Sequence, residues 1–402
     1  MNEQTWLVEG SLTPIYDRIA RAVAEALVQR RQEVVFIDPR STRLEEWWGL
    51  LRRHADATYL STNPNNLLRG TALDGQTRLQ ELHPGRLIFV HHDDILKCES
   101  PKAGIDALRS WQRVDARSAH LCLEPSNASD LRAIGLSRVS TVLHASEFVP
   151  RDPRTAGFRW TTSFMGHVMP SSTRPGPGAS GGHAFAEILA AMRQQDPSTN
   201  LDQLIDQQAH ALVGETAASG DAAVYRIATK RWLRSLVHEH SLAARGWFIE
   251  QARLPSVTIF GGDPAYLHGM QRKLTLGLGN VEHRDAVFDT QAVQDVFRDS
   301  CINLNFTSLQ FDTAVVNRVF DVFMAGGLCL TDYRDGLATL TNSHAEFSWK
   351  TLSELRERVA YWSDPARARE RALLIRKVQA DLGEHGGYTR LADRLIAIGR
   401  TL

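Results

Sequence analysis

Residues 301–332 read CINLNFTSLQFDTAVVNRVFDVFMAGGLCLTD, and this stretch decides the fold. CINLNF alternates apolar and polar residues, which predicts a strand. Asp312 and Thr313 carry oxygens that accept from the free amides of a first helical turn, so a helix is expected over 314–325. Gly326 and Gly327 take the left-handed backbone that ends such a helix. LCLTD then gives a second short strand, completing a unit the size of one βαβ crossover. On the expected helix, Asn317 and Arg318 lie four and three residues before Asp321, so the three share a face. The helix start is an anion site, with free N–H groups and the positive end of the dipole. A diphosphate can rest there, with an acid further along to hold a ribose. Spacing alone favours a surface Arg–Asp pair on a core helix.

Working outward, 402 residues suffice for two or three domains. Lys and Arg number 46 and Asp and Glu number 46, so no global charge draws the chain to nucleic acid or anionic lipid. Cys98, Cys122, Cys301 and Cys329 are far apart with no C-x-x-C spacing, which predicts a reducing cytoplasm and neither a disulfide nor a zinc framework. MNEQTWLVEGS lacks the basic and apolar regions of a signal peptide. No apolar run approaches about 18 residues, so no membrane span is expected.

TWLVEG, an amphipathic helix over SLTPIYDRIARAVAEALVQRRQ and EVVFIDP form a β-α-β opening, the start of a doubly wound sheet. The turn at Gly10–Ser11–Leu12 lacks G-x-G-x-x-G, so no dinucleotide cofactor is expected. LIFV is a buried strand that ends in His91, His92, Asp93 and Asp94. Those four groups can cap the strand end, or supply a general base and hydrogen bonds to a sugar. TTSFMGH opens a second sheet, and PSSTRPGPGASGG after it reads as a linker or as a flap. Arg226, Lys230, Arg231 and Arg234 form a solvated basic face or neutralise a departing diphosphate. SVTIFGGDP is a buried strand whose end, Gly261–Gly262, lets a backbone approach a base or phosphate closely. Thr307 and Ser308 lie on the loop before the expected helix, within reach of sugar or phosphate.

The stretch NLNFTSLQFDTAVVNRVFDVFMAGGLCLTD resembles the signature of the spore-maturation, CgeB-like glycosyltransferases: N-L-N-x-T, then N-x-R-V-F-[DE], then A-x-G-G, then a strand ending in T-D. The resemblance implies an α/β, GT-B fold of two Rossmann-like, doubly wound domains facing across a cleft. Residues 1–155 would bind the acceptor and 156–402 the nucleotide-diphosphate sugar, with the C-terminal helix crossing back to the first domain. Asp321 falls where related enzymes place the second acid of E-x7-E, which holds the donor ribose, and Thr313 stands in the first acid's place. Gly261 and Gly262 would line the nucleotide pocket. Asn317 and Arg318 would order the site or touch phosphate. Arg226, in a Tyr225–Arg226 pair similar to the family's, would meet the leaving diphosphate. His91, His92, Asp93 and Asp94 would face sugar and acceptor. The reaction implied is glycosyl transfer to a hydroxyl of a protein such as flagellin, a polysaccharide or a small molecule. It needs no metal and no cofactor beyond the donor, expected to be of the uridine diphosphate type. A sugar-nucleotide epimerase and a non-catalytic, glycosyltransferase-like scaffold are the other readings.

Overall fold

A computed structural model describes residues 4–64, 78–169, 181–214, 221–275, 281–385 and 387–402. Most of PSSTRPGPGASGG, residues 170–180, lies outside the described residues, and with it both readings of that stretch. The chain forms two compact units. Unit 1 is Met1–Glu147, Asp202–Ser235 and Gly386–Leu402; unit 2 is Phe148–Leu201 and Leu236–His385. The boundary thus falls at 147/148, not 155, and unit 1 also takes residues 202–235 from the expected donor half.

Unit 1 is built on six parallel strands: β1 (Thr5–Glu9), β2 (Glu33–Ile37), β3 (Thr58–Ser61), β4 (Arg86–His91), β5 (Ser118–Cys122) and β6 (Val139–Thr141). Their order is β2-β1-β3-β4-β5-β6, an open doubly wound sheet with its switch point between β1 and β3. Trp47 and Trp48 are buried in its core, alongside Leu108 and Trp111. Val224, Ile227 and Ala228 of the helix Ala222–Glu239 join the same cluster, which explains why residues 202–235 go with this unit. The last helix, Tyr388–Thr401, packs on Pro14–Gln29, the first helix, and Arg30 pairs with Asp393 at 2.5 and 2.9 Å.

A cleft of about 800 Å³ opens at the amino ends of β1, β3 and β4, lined by Arg53, Arg86 and Arg400 among others. The helices Leu44–Arg53 and Tyr388–Thr401 both end at this edge, and the last-turn Arg53 and Arg400 answer their negative dipole ends. It is the opposite edge of the sheet from the one where such folds bind ligands.

Unit 2 holds β7 (Trp160–Met165), β8 (Val257–Phe260), β9 (Val281–Arg284), β10 (Ser300–Asn305), β11 (Cys329–Asp332) and β12 (Ser348–Trp349), again all parallel. Their order is β12-β11-β10-β7-β8-β9, the two-halved Rossmann arrangement with its switch point between β7 and β10. All four cysteines are buried and free. Among the described residues, no helix is long and apolar enough to cross a membrane.

Glu9, at the end of β1, is buried in unit 1 beside Ser61 and Tyr59. Desolvation raises its pKa to about 8, and the two hydroxyls offset this only in part. The folded chain therefore keeps a proton that the unfolded chain releases above its ordinary carboxylate pKa. Stability falls as pH rises through that interval and on to about 8. The loss is on the order of 5 kcal/mol, at about 1.4 kcal/mol per pH unit. Glu9→Gln should remove this slope. Thermal melts between pH 5 and 8.5 are expected to show the variant gaining on the wild type as pH rises, and parallel curves would contradict the assignment.

Candidate functional site

The crevice at the β7/β10 switch point of unit 2 is assembled from strand ends. The amide of Gly166, just past β7, donates to the Phe260 carbonyl at 2.9 Å. The amide of Gly261, just past β8, donates to the Arg284 carbonyl at 2.9 Å, and that of Asp263 to the Val168 carbonyl at 3.1 Å. Gly166 has φ +150°, and a Cβ there would stand 3.1 Å from Nη2 of Arg318. A Cβ on Gly261 would stand 3.3 Å from the Gly166 carbonyl oxygen, and one on Gly262 3.1 Å from that of Val168. Side chains are thus excluded where backbone passes closest to backbone.

Polar side chains of the signature tie β10 to β11. Asn305 Nδ2 donates to Thr331 Oγ1 at 2.9 Å. The amide and hydroxyl of Thr307 both donate to Asp332 Oδ1, at 2.8 and 2.9 Å, and Arg334 pairs with the other oxygen of Asp332. Asn303 accepts from Ser163 of β7 at 3.0 Å and donates to the carbonyl of Phe297 at 2.9 Å. Thr307 is therefore an internal strut, where the sequence suggested contact with sugar or phosphate.

The helix after this loop is shorter than expected. It runs Asn317–Met324, not 314–325. Asp312 is drawn away by Arg193 and by the Leu201 amide (2.8 Å), and the Thr313 carbonyl accepts from Gly336 at 3.0 Å. Val316 is extended (φ −73°, ψ 153°), as suits a β-branched residue, and no side chain caps the helix. Its first-turn amides, those of Asn317 and Arg318, are left for another acceptor. Gly326 (φ +85°) and Gly327 close the other end by donating to Phe323 and Val322 carbonyls, each at 2.9 Å.

Arg318 reaches back into the crevice. Its Nη1 donates to Asn305 Oδ1 at 3.3 Å, and its guanidinium lies 5.2 Å from the Phe164 ring centroid. Burial lowers its pKa, with Cys329 and Asp321 opposing. Asn317 Nδ2 donates to Asp321 Oδ2 at 3.4 Å, and Asp321 is buried. Ser308 Oγ lies 3.1 Å from His238 Nδ1 and 3.2 Å from Ser241 Oγ. Unit 2 thus holds Gly261, Gly262, Thr307, Ser308, Asn317, Arg318 and Asp321 together.

Other expected site residues belong to unit 1. Arg226 pairs with Asp206 at 2.5 Å, so its charge is met within that unit. The strand end at β4 needs correction as well. His91 is buried, its Nε2 3.0 Å from His120 Nδ1 and the two rings stacked. His92 stacks on His144 at 5.2 Å, Asp93 meets Lys97 at 3.3 Å, and Asp94 pairs with Arg231 at 2.8 Å. All four are nearly inaccessible, so they sit as packed and paired groups instead of open acid–base groups. Arg231 also meets Asp130, and Lys230 spans Asp130 and Asp202 at 3.1 and 2.8 Å. The basic face is therefore an internal ionic network, because acids from three segments converge on it. Sequence reasoning missed His238 and Ser241. Their only signal was a run of polar groups, HEHS (238–241), at a junction between two helices.

Residues 234–395, less than half of the chain, match the family model described as glycosyl transferase-like. No curated protein matches the chain. Among solved structures, the chain is similar to Anabaena Alr3699/HepE in complex with UDP and glucose, with a TM-score of 0.55, 9% identity and 100% of each chain covered. T4 phage BGT in complex with its UDP-glucose substrate gives 0.51, 8% identity and coverage of 99% of this chain and 100% of that one. An alpha-glucosyltransferase in complex with UDP and a 13-mer DNA gives 0.52, at 8% identity and the same coverage. With two six-stranded parallel α/β units, these likenesses define the fold as GT-B.

Burial pushes His92 down to about 4 and His120 to about 3, and holds His91 and His144 well below the ordinary imidazole value. Unfolding lets each take up a proton below pH 6.5, so stability should fall as pH drops from 6.5 toward 4, by about 1.4 kcal/mol per unit per histidine. Denaturant titrations of Glu9→Gln, which lacks the opposing carboxylate slope, at pH 7 and pH 5 should show it, and equal stabilities would contradict the burial of these rings.

Proposed function

We propose that this protein is a glycosyltransferase that moves a sugar from a nucleotide-diphosphate donor, of the uridine type, to a hydroxyl acceptor. The observation that carries the reading is the uncapped first turn of Asn317–Met324 at the switch point of unit 2, with Arg318 beside it. Two backbone amides, the positive dipole end and a guanidinium point to a diphosphate as the natural occupant. Asp321, one turn on, accepts from ribose hydroxyls, with Asn317 orienting it. Gly166, Gly261 and Gly262 let the strand-end backbones pack closely on one another and on Arg318 beside that turn. The glycosyl transferase-like match over 234–395 and the UDP-bound GT-B neighbours support the same class.

Within that class the signature favours a CgeB-like type. Unit 1 binds the acceptor, and the charge of the leaving diphosphate is met by amides and Arg318 without a metal ion. A cytoplasmic location fits four buried free cysteines.

A thermal-shift panel of nucleotides and nucleotide sugars tests the reading. UDP-type ligands at 100 times Kd add about 2.7 kcal/mol, enough to raise the melting temperature by several degrees. Asp321→Ala should abolish the shift, while Arg52→Ala, on an exposed face, should keep it. Turnover in EDTA should equal turnover without it. A panel with no shift in the wild-type chain would sink the assignment.

A further inference from the structure

Ser308 is part of a closed triangle of polar atoms that the donor site as described does not use. Its Oγ lies 3.1 Å from His238 Nδ1 and 3.2 Å from Ser241 Oγ, and Ser241 Oγ lies 3.3 Å from the same Nδ1. The Leu309 amide donates to Ser241 Oγ at 3.1 Å. Both serines are buried and His238 is half-buried. His238 lies in the last turn of the helix Ala222–Glu239 and Ser241 begins Ser241–Ala252, so a helix junction grips the loop leading to the candidate phosphate site.

The proton on Nδ1 decides how the hydroxyls of this triangle are oriented. With Nδ1 bare, one hydroxyl donates to it, and Ser308 at 3.1 Å is nearer than Ser241 at 3.3 Å; the Ser308 proton is then spent internally. With a proton on Nδ1, that N–H and the Ser241 hydroxyl both donate to Ser308 Oγ, which has two lone pairs. The Ser308 O–H is then released to an outside acceptor. Moving from one state to the other shifts a proton from Nε2 to Nδ1 and changes no net charge.

We propose that His238 is a positioning residue whose Nδ1 proton turns the Ser308 hydroxyl outward onto the diphosphate of the donor. This rests on the reading that the diphosphate sits at the start of Asn317–Met324. A hydroxyl aimed at a phosphate oxygen gives a charge-assisted hydrogen bond that strengthens as the leaving diphosphate gains charge. Ser308 would otherwise offer that oxygen only lone pairs.

Calorimetric titration of the 402-residue chain with UDP is the test. His238→Ala, His238→Gln and Ser308→Ala should each weaken UDP binding by about tenfold, the loss expected for one hydrogen bond to a charged group. Asparagine sets its amide near the Nδ1 position, whereas glutamine reaches toward Nε2. His238→Asn should therefore recover binding to within about threefold of wild type. Nitrogen NMR of wild-type His238 should show the proton moving to Nδ1 when UDP is added. The proposal fails if His238→Ala binds UDP as wild type does, if His238→Asn is no better than alanine, or if the tautomer stays put. Should the alanine variant not fold, the NMR signature decides alone. Wild-type chain that binds no UDP overturns the donor site itself. A chain that loses UDP with Asp321→Ala but keeps it with His238→Ala overturns only the role of His238.

Discussion

The hydrogen bonds from Thr307 and Arg334 to Asp332 fix the carboxyl ends of β10 and β11, and the candidate site hangs on them. Asp332 is buried, so its charge is tolerated only because Arg334 and the two Thr307 donors meet it. Asn305 extends the lattice sideways, bonding Thr331 with its amide nitrogen and receiving Arg318 on its oxygen. The lattice decides where the loop 306–316 leaves the sheet and hence where the next helix begins. Remove one partner and the others are left buried and unpaired, which costs more than the bond itself contributes. Much of the signature is therefore scaffolding: Asn303, Asn305, Thr307, Thr331 and Asp332 build a shelf, and Ser308, Asn317, Arg318 and Asp321 stand on it.

Unit 1 rests on a different lattice. Asp94, Asp130 and Asp202 enclose Lys230, Arg231 and Arg234, all buried or nearly so. Taking so many charges out of water is expensive, and their mutual attraction offsets that expense only when every group is paired. Breaking any one pair would leave a buried charge without its partner. The network fastens residues 202–235, which fall in the middle of the chain, to the unit formed by its beginning and end. Asp94 serves this fastening, which withdraws it from solvent.

The architecture was legible because it is written in local patterns. Apolar runs such as LIFV and TIF mark central parallel strands, and Gly326–Gly327 marks a helix end by its backbone freedom. The ordered signature pointed to GT-B. What the sequence hid was partnership over distance. Asp312 looked like a helix cap, yet Arg193, more than a hundred residues earlier, takes it. His91 and Asp94 looked available because their partners, His120 and Arg231, lie on other elements. Arg226 looked like a phosphate ligand because nothing local announces that its helix packs with unit 1. His238 went unnoticed for the same reason, since only folding brings it to Ser308.

The central claim is that the open first turn of Asn317–Met324 receives a diphosphate. A crystal of the protein soaked with UDP addresses it directly. Diphosphate oxygens should lie within hydrogen-bonding distance of the Asn317 and Arg318 amides, with the ribose hydroxyls at Asp321. UDP seated anywhere else, with this turn left open to solvent, would contradict the account.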